Sequence, residues 1–117
     1  MATSVIQSKS TYKASSGDVT LSTASSYKDI TTLPLEAGIW VIDGDVHFGT
    51  SSDDTKRVIK IDVPTVGYVS NSYPAAWYSE LSCSMVASIS STQTVTLSAQ
   101  GPASIGVNGR LRAAKIS

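Results

Sequence analysis

Apolar and polar residues alternate along most of this chain, and the alternation is clearest over residues 39–48. One face of that stretch carries Trp40, Ile42, Gly44, Val46 and Phe48. The other face carries Val41, Asp43, Asp45 and His47. Apolar residues at every second position are typical of a β-strand with one buried face, because successive side chains point to opposite sides of a sheet. We therefore predict that this stretch is the strongest strand of the chain.

The same period of two continues on both sides of this strand and predicts about eight short strands in all. They cover residues 18–24, 27–33, 39–48, 57–63, 77–89, 94–99, 104–107 and 110–116. Turn residues separate them, since Pro34 ends the second strand and residues 49–56 read as a polar hairpin loop. Residues 65–75 form the longest irregular stretch, and Asn108 with Gly109 is the strongest hairpin signal.

Short strands separated by turns predict an all-β fold, a jelly-roll β-sandwich of about eight to ten antiparallel strands. At 117 residues the chain has room for one hydrophobic core. Residues 1–17 are polar and serine-rich, so we expect a flexible or docking N-terminal arm there and the jelly-roll domain over residues 18–117. Because an isolated sandwich of this size has exposed edges and a thin core, we expect its copies to assemble.

Serine and threonine make up 33 of the 117 residues, whereas charged residues make up 15%. This composition suits strands with hydroxyl groups on their outer faces better than it suits surface helices. The formal net charge is zero, which argues against nucleic-acid binding because such proteins carry a basic stripe. No apolar run is long enough for a membrane span, and residues 1–10 lack a secretory signal, so we expect synthesis in a cytoplasm without membrane insertion.

Groups with catalytic or metal-binding chemistry are few. The chain has one histidine, His47, and no Gly-x-Ser-x-Gly motif, so we expect neither enzyme activity nor a cofactor. Asp43, Asp45 and His47 share one strand face, which leaves a metal ion there as an alternative to solvated or paired side chains.

Cys83 is the only cysteine, so no internal disulfide forms. We interpret it as a small buried residue, with an exposed thiol that crosslinks subunits as the alternative.

Two segments carry a resemblance to a known family. Residues 38–48 read Gly-Ile-Trp-Val-Ile-Asp-Gly-Asp-Val-His-Phe, an alternating strand that a charged loop follows. Residues 109–116 read Gly-Arg-Leu-Arg-Ala-Ala-Lys-Ile and close the chain after a serine-rich pair of strands. In this order the motifs resemble the complement-globular-head/tumour-necrosis-factor-like (TNF-like) jelly roll, in the form that tailed bacteriophages carry on fibres, tail tips and head decorations. The resemblance covers about residues 18–117.

The resemblance implies a TNF-like homotrimer in which the first, third and last strands of each subunit share a sheet that faces the threefold axis. It implies a virion protein whose partners are its own copies, other virion proteins and a host-surface glycan or protein, with neither nucleic acid nor membrane insertion. The expected function is non-enzymatic and structural, as a head-decoration knob or a fibre or tail-tip module. A carbohydrate-binding or adhesin-like module of bacterial origin is the alternative.

Opposite charges occur on two strands that the resemblance places in one sheet. Asp43 and Asp45 lie on the polar face of the strongest strand, and Arg110 and Arg112 lie on the last strand. We predict cross-strand or inter-subunit ion pairs between either aspartate and either arginine. An ordinary solvated face without specific pairing is the alternative.

Aromatic residues cluster around the predicted irregular stretch. Four of the eight in the chain fall within eleven positions, namely Tyr68, Tyr73, Trp77 and Tyr78. Aromatic side chains on a loop offer contact area at low entropy cost, so these four form a candidate recognition loop. The alternative is that Trp77 and Tyr78 cap one end of the jelly-roll core.

Overall fold

The computed structural model describes residues 10–22, 26–49, 51, 55–73 and 79–116. Within these residues the chain forms nine strands and no helix, so nothing there could cross a membrane as a helix. The strands are β1 (Ser10–Ser15), β2 (Val19–Thr20), β3 (Lys28–Leu35), β4 (Gly38–Phe48), β5 (Arg57–Val63), β6 (Gly67–Tyr73), β7 (Ser79–Ile89), β8 (Gln93–Gln100) and β9 (Gly106–Lys115).

The strands form two antiparallel sheets that pack as a sandwich. The five-stranded sheet has the order β1–β9–β4–β7, and β2 also pairs with β9; the four-stranded sheet has the order β3–β8–β5–β6. From β2 onward, consecutive strands change sheet at every connection except the β5–β6 hairpin, which is the winding of a jelly roll. The predicted all-β jelly roll is confirmed. The first, third and last predicted strands meet in the five-stranded sheet as β2, β4 and β9.

The core lies between the two sheets and is built from alternate residues of each strand. The predicted inner face of β4 is buried along its whole length, from Trp40 to Phe48. The opposing sheet contributes Ile59, Ile61 and Leu97, all fully buried. Burial at every second position is the physical cause of the sequence pattern, because only the inward-facing side chains leave water.

Two segments that the sequence predicted as arm or loop form edge strands instead. Residues 10–15, placed in the N-terminal arm, pair with β9 from Ser10 opposite Lys115 to Ser15 opposite Arg110, whereas residues 1–9 lie outside the described residues. Most of the predicted irregular stretch 65–75 is β6, which pairs with β5. An edge strand takes its hydrogen bonds from one neighbour and buries few side chains, so its own sequence carries a weak signal.

Three predicted turns and one strand length are also corrected. Asn108 and Gly109 lie inside β9 and form no hairpin. The predicted hairpin loop over residues 49–56 connects β4 to β5, which belong to different sheets. Pro34 lies within β3, where an edge position tolerates the missing N–H. The strand predicted over residues 18–24 is the two-residue β2.

Candidate functional site

The outer face of the five-stranded sheet brings the predicted acidic and basic residues into neighbouring rows. Asp43 of β4 lies opposite Arg112 of β9, and Asp45 lies opposite Arg110. The cause is the antiparallel register of β4 and β9, which places directly opposed residues on the same face. All four residues therefore project from one surface of one subunit.

Asp45 is the centre of this charged row. Its carboxylate accepts from Arg110 Nε at 3.2 Å and from Arg110 Nη2 at 3.5 Å, and it lies 3.5 Å from Arg112 Nη2. The Asp45 side chain is 13% exposed, whereas the arginine side chains are 59% and 46% exposed. Pairs exposed to this extent stabilise by about 0–1 kcal/mol each, so their clearer effect is to fix the register of β4 against β9.

Asp43 is left out of this arrangement. Among the residues that the structure describes, no cation lies within ion-pair distance of its carboxylate, because Arg112 leans to Asp45 instead. The structure thus joins three of the four predicted charged residues in one cluster within a single subunit.

An apolar strip lies beside the charged row on the same face. Val41 of β4 is flanked by Ala114 of β9 and by Val86 of β7, so three apolar side chains cross three adjacent strands. Val86 is 64% exposed, which makes it one of the most exposed large apolar residues of the described chain. The outer face of the five-stranded sheet therefore presents paired charges next to exposed apolar side chains.

The third polar residue of β4 also has an acidic neighbour. His47 Nδ1 lies 3.7 Å from Glu80 Oε2, and both side chains are about half exposed. Within the described parts of the chain, no group of three or more histidine, cysteine, aspartate and glutamate side chains is placed to hold a metal ion. The metal site considered at Asp43, Asp45 and His47 would need the carboxylate of Asp45 as a ligand. That carboxylate is already paired with two arginines.

Cys83 is half-buried on the inward side of β7. Burial raises the pKa of its thiol, a backbone hydrogen bond from Ile61 acts in the opposite direction, and the charge of Asp43 raises the pKa further. A raised pKa keeps the thiol protonated at neutral pH, and the protonated form is the less reactive one.

The outer face of the four-stranded sheet carries an aromatic and cationic cluster. Lys60 Nζ lies 4.2 Å from the ring centroid of Tyr27 and 5.7 Å from that of Tyr68. Tyr27 and Tyr68 are 42% and 67% exposed. Tyr68 was a predicted recognition residue, but it lies on strand β6 and not in a loop. Tyr27 could not be predicted as a neighbour of Tyr68, because it comes 41 residues earlier and only the winding of the sandwich brings it close.

The other three predicted recognition residues are not described in full. Tyr73 ends β6, and its side chain is not described. Trp77 and Tyr78 lie outside the described residues. The candidate recognition loop is thus represented in the structure by Tyr68 alone, and Tyr27 and Lys60 are its neighbours.

A buried arginine is a further feature that the sequence did not reveal. Arg57 begins β5 and is 0% exposed. Its Nη1 donates to the carbonyl oxygen of Thr55 at 2.8 Å, and its Nη2 donates to that of Ser51 at 3.4 Å. The guanidinium thereby holds the backbone of Ser51 and Thr55 at the start of β5. The alternation of β5 alone places Arg57 on the inner face, and that is the signal which could have identified it.

Comparison with known proteins identifies a fold. No protein-family model matches the chain, and no curated protein matches it. Among solved structures, a pilus of Bacillus endospore appendages, which form disulfide-linked pili, matches with 12% identity over 100% of this chain and 98% of that chain, at a TM-score of 0.50. The carbohydrate-binding module CBM6cm-2 of Cellvibrio mixtus lichenase 5A, in complex with cellotriose, matches with 12% identity over 95% and 91%, at a TM-score of 0.44. At such identity the likeness to the pilus supports the β-sandwich fold alone.

Proposed function

We propose that the protein is a non-enzymatic structural module that assembles into a homotrimer through the outer face of its five-stranded sheet. The observation that carries this proposal is the apolar strip of Val41, Val86 and Ala114, which crosses β4, β7 and β9 beside the paired charges of Asp45. Exposed apolar surface next to complementary charge is the composition of an association surface. Both segments that carry the TNF-like resemblance, residues 38–48 and 109–116, lie mainly in this sheet as β4 and β9.

The energetics favour assembly through this face. Fully burying a valine side chain contributes about 1.5–3 kcal/mol, and Val86 is 64% exposed in the single subunit. A threefold arrangement gains that contribution in every subunit, and it brings the Asp45 cluster of one copy toward those of the others. Desolvation offsets most of the Coulomb energy of such clusters, so the apolar strip supplies the affinity and the charges fix the orientation.

The setting that we propose is a bacteriophage virion, as a head-decoration knob or a fibre or tail-tip module. The motif resemblance supports this setting, and the Bacillus pilus that shares the fold is likewise a surface appendage. In that setting the partners are other copies, other virion proteins and a host-cell surface. Three weak contacts on one rigid trimer attach far more strongly than one, so the mechanism needs no catalytic group.

Light scattering on the purified full chain tests the assembly. We expect a mass near three times 12.2 kDa, and we expect Val86→Glu to give a single subunit because it places three carboxylates at one interface. Thr32→Glu is the matched control, since Thr32 is exposed on the four-stranded sheet and should leave the trimer intact. A wild-type chain that stays monomeric at high concentration rules out the trimer. A Val86→Glu variant that remains trimeric rules out this face.

Carbohydrate binding is the second candidate function, and the cluster of Tyr27, Lys60 and Tyr68 favours it. Both rings lie against one ammonium group, so their centroids are no more than about 10 Å apart, and both are well exposed. Aromatic faces offer the apolar contact and Lys60 the hydrogen-bond donor that a sugar ring with its hydroxyl groups requires. The cluster lies on the sheet opposite the proposed trimer surface, so the two functions are compatible.

A glycan array on the full chain tests this second candidate. Saturable binding that Tyr68→Ala and Tyr27→Ala both abolish would support it. Val66→Ala is the control, because Val66 is 42% exposed in the β5–β6 turn and has no place in the cluster. An array without signal, or a signal that survives both tyrosine substitutions, would remove the cluster from consideration.

A further inference from the structure

A groove runs along the junction of β1 and β9 at one edge of the five-stranded sheet. It encloses about 210 Å³ and is lined by Lys13, Ala14, Ser15, Arg110, Leu111 and Arg112. Three of its six lining residues are cations, although the whole chain has only 9 lysines and arginines and no net charge. The groove is therefore a local concentration of positive charge on a neutral protein.

The register makes this concentration costly for the isolated subunit. Lys13 lies directly opposite Arg112, and Ser15 lies opposite Arg110. Like charges that face each other across antiparallel strands are destabilising. Asp45 is the one carboxylate that pairs with either arginine in the described chain, and it is shared between them. Among the same described residues, no carboxylate lies within ion-pair distance of Lys13.

Arg112 is the residue most easily turned toward a ligand. Its contact with Asp45 is a single 3.5 Å approach, whereas Arg110 contacts both carboxylate oxygens, the nearer at 3.2 Å. If Arg112 swings away, Asp45 keeps Arg110 as its partner. The Arg112 side chain is 46% exposed, so this movement does not uncover a buried charge.

We propose that the groove binds a tetrahedral oxyanion, a phosphate or sulfate group, between Lys13 and Arg112. The planar fork of Arg112 provides two parallel N–H donors, Lys13 provides a mobile point charge, and the hydroxyl of Ser15 provides a donor at the end of the groove. One bound anion turns the Lys13–Arg112 repulsion into two attractions. The oxyanion site is complete within one subunit, but Arg110 and Arg112 also belong to the charged row on the proposed trimer face. Light scattering of the full chain with and without oxyanion therefore separates failure of the trimer from failure of this site.

Thermal unfolding of the full chain in sodium phosphate and in sodium sulfate tests the site, with sodium chloride of equal ionic strength as the reference. We expect both oxyanions to raise the melting temperature in a saturable way beyond chloride, because a ligand that binds only the folded state stabilises it. Lys13→Gln and Arg112→Gln should each raise the half-saturating concentration by about tenfold, the effect of one lost charge-assisted contact. Their melting temperatures without oxyanion show whether either variant is itself unfolded.

Lys56→Gln is the matched control, because Lys56 is exposed before β5 and loses the same charge outside the groove. It should leave the half-saturating concentration unchanged. Oxyanions that stabilise no better than chloride, or a Lys56→Gln variant weakened as much as Lys13→Gln, would overturn the proposal.

A sulfated polysaccharide and its desulfated form distinguish the source of the oxyanion. If the protein binds the sulfated polysaccharide but not its desulfated form, and if this binding requires Lys13 and Arg112, the natural ligand carries its oxyanion on a polymer. If only the inorganic ions give a response, the natural ligand is a free phosphate or sulfate ion.

Discussion

At two glycines of the five-stranded sheet, side chains of the opposing sheet pack directly against the backbone. A Cβ atom on Gly44 would lie 3.0 Å from Ile61 Cδ1 and 3.1 Å from Leu97 Cδ1. On Gly109 it would lie 2.9 Å from Leu97 Cδ2 and 3.1 Å from the carbonyl oxygen of Asp45. Such distances are below ordinary van der Waals contact, so both residues are required by packing and neither by a turn.

Replacing Gly44 with valine is expected to overpack the core. The new methyl groups would meet Ile61 and Leu97, and overpacking of this kind costs about 1–3 kcal/mol of unfolding free energy. Denaturant unfolding measures the loss as a lower midpoint at unchanged slope. Gly17→Val is the control, because no atom lies within 4 Å of its Cβ position. An unchanged midpoint for Gly44→Val would mean that this position does not face the opposing sheet.

The pKa of Cys83 predicts a dependence of stability on alkaline pH. Burial raises the pKa of the folded thiol above its unfolded value, so the unfolded chain loses its proton first as pH rises. The contribution to stability is complete at neutral pH, below the unfolded pKa, and is lost as pH rises through the folded pKa. Between neutral and alkaline pH, the urea midpoint of unfolding should therefore fall further for the wild-type chain than for Cys83→Ala. Equal pH dependence in the two would show that the thiol is not desolvated.

At the scale of the strand, alternation identified the buried faces of β4 and β7, because each carries enough inward side chains to make the period visible. It could not identify β1 or β6, since an edge strand buries few side chains and is held by backbone hydrogen bonds. Nor could it distinguish a glycine in a hairpin from one beneath a packed side chain. For that reason the Asn108–Gly109 pair predicts a turn, although it lies inside β9.

One aromatic contact packs β1 against the core in addition to its backbone pairing with β9, and this contact leads to a prediction. The ring of Tyr12 lies 5.5 Å from that of buried Trp40, centroid to centroid. Tyr12→Ala removes the largest described side chain that β1 packs inward, so the backbone amides of residues 10–15 should exchange faster with solvent while those of β4 stay protected. Tyr27→Ala, just before β3 of the other sheet, is the control and should leave β1 unchanged. Equal protection of β1 in both variants would argue against this contact as its anchor.

At the scale of the molecule, pairing joins residues that are distant in sequence. β1 pairs with β9, and of the described strand pairs only β5 and β6 are joined by a short turn. The same long-range winding explains which site residues could be foreseen. Asp45, Arg110 and Arg112 lie on strands with strong patterns, whereas Tyr27 meets Lys60 only through the way in which β3, β8 and β5 come together.

This topology predicts slow folding. Loop-closure entropy must be overcome before distant strands gain their contacts, so sandwiches of this type refold in about milliseconds to seconds. Stopped-flow dilution from urea, followed by tryptophan fluorescence, should give a rate in that range because Trp40 becomes fully buried in the core. Refolding within microseconds would be inconsistent with a rate set by long-range strand pairing.

The buried guanidinium of Arg57 has a consequence for how the molecule can change. It donates hydrogen bonds to the backbone carbonyl oxygens of Ser51 and Thr55, and every amino acid has a backbone carbonyl oxygen. These two hydrogen bonds therefore do not depend on which side chains positions 51 and 55 carry. Sequence change at positions 51 and 55 can therefore accumulate while these two contacts at the start of β5 are retained.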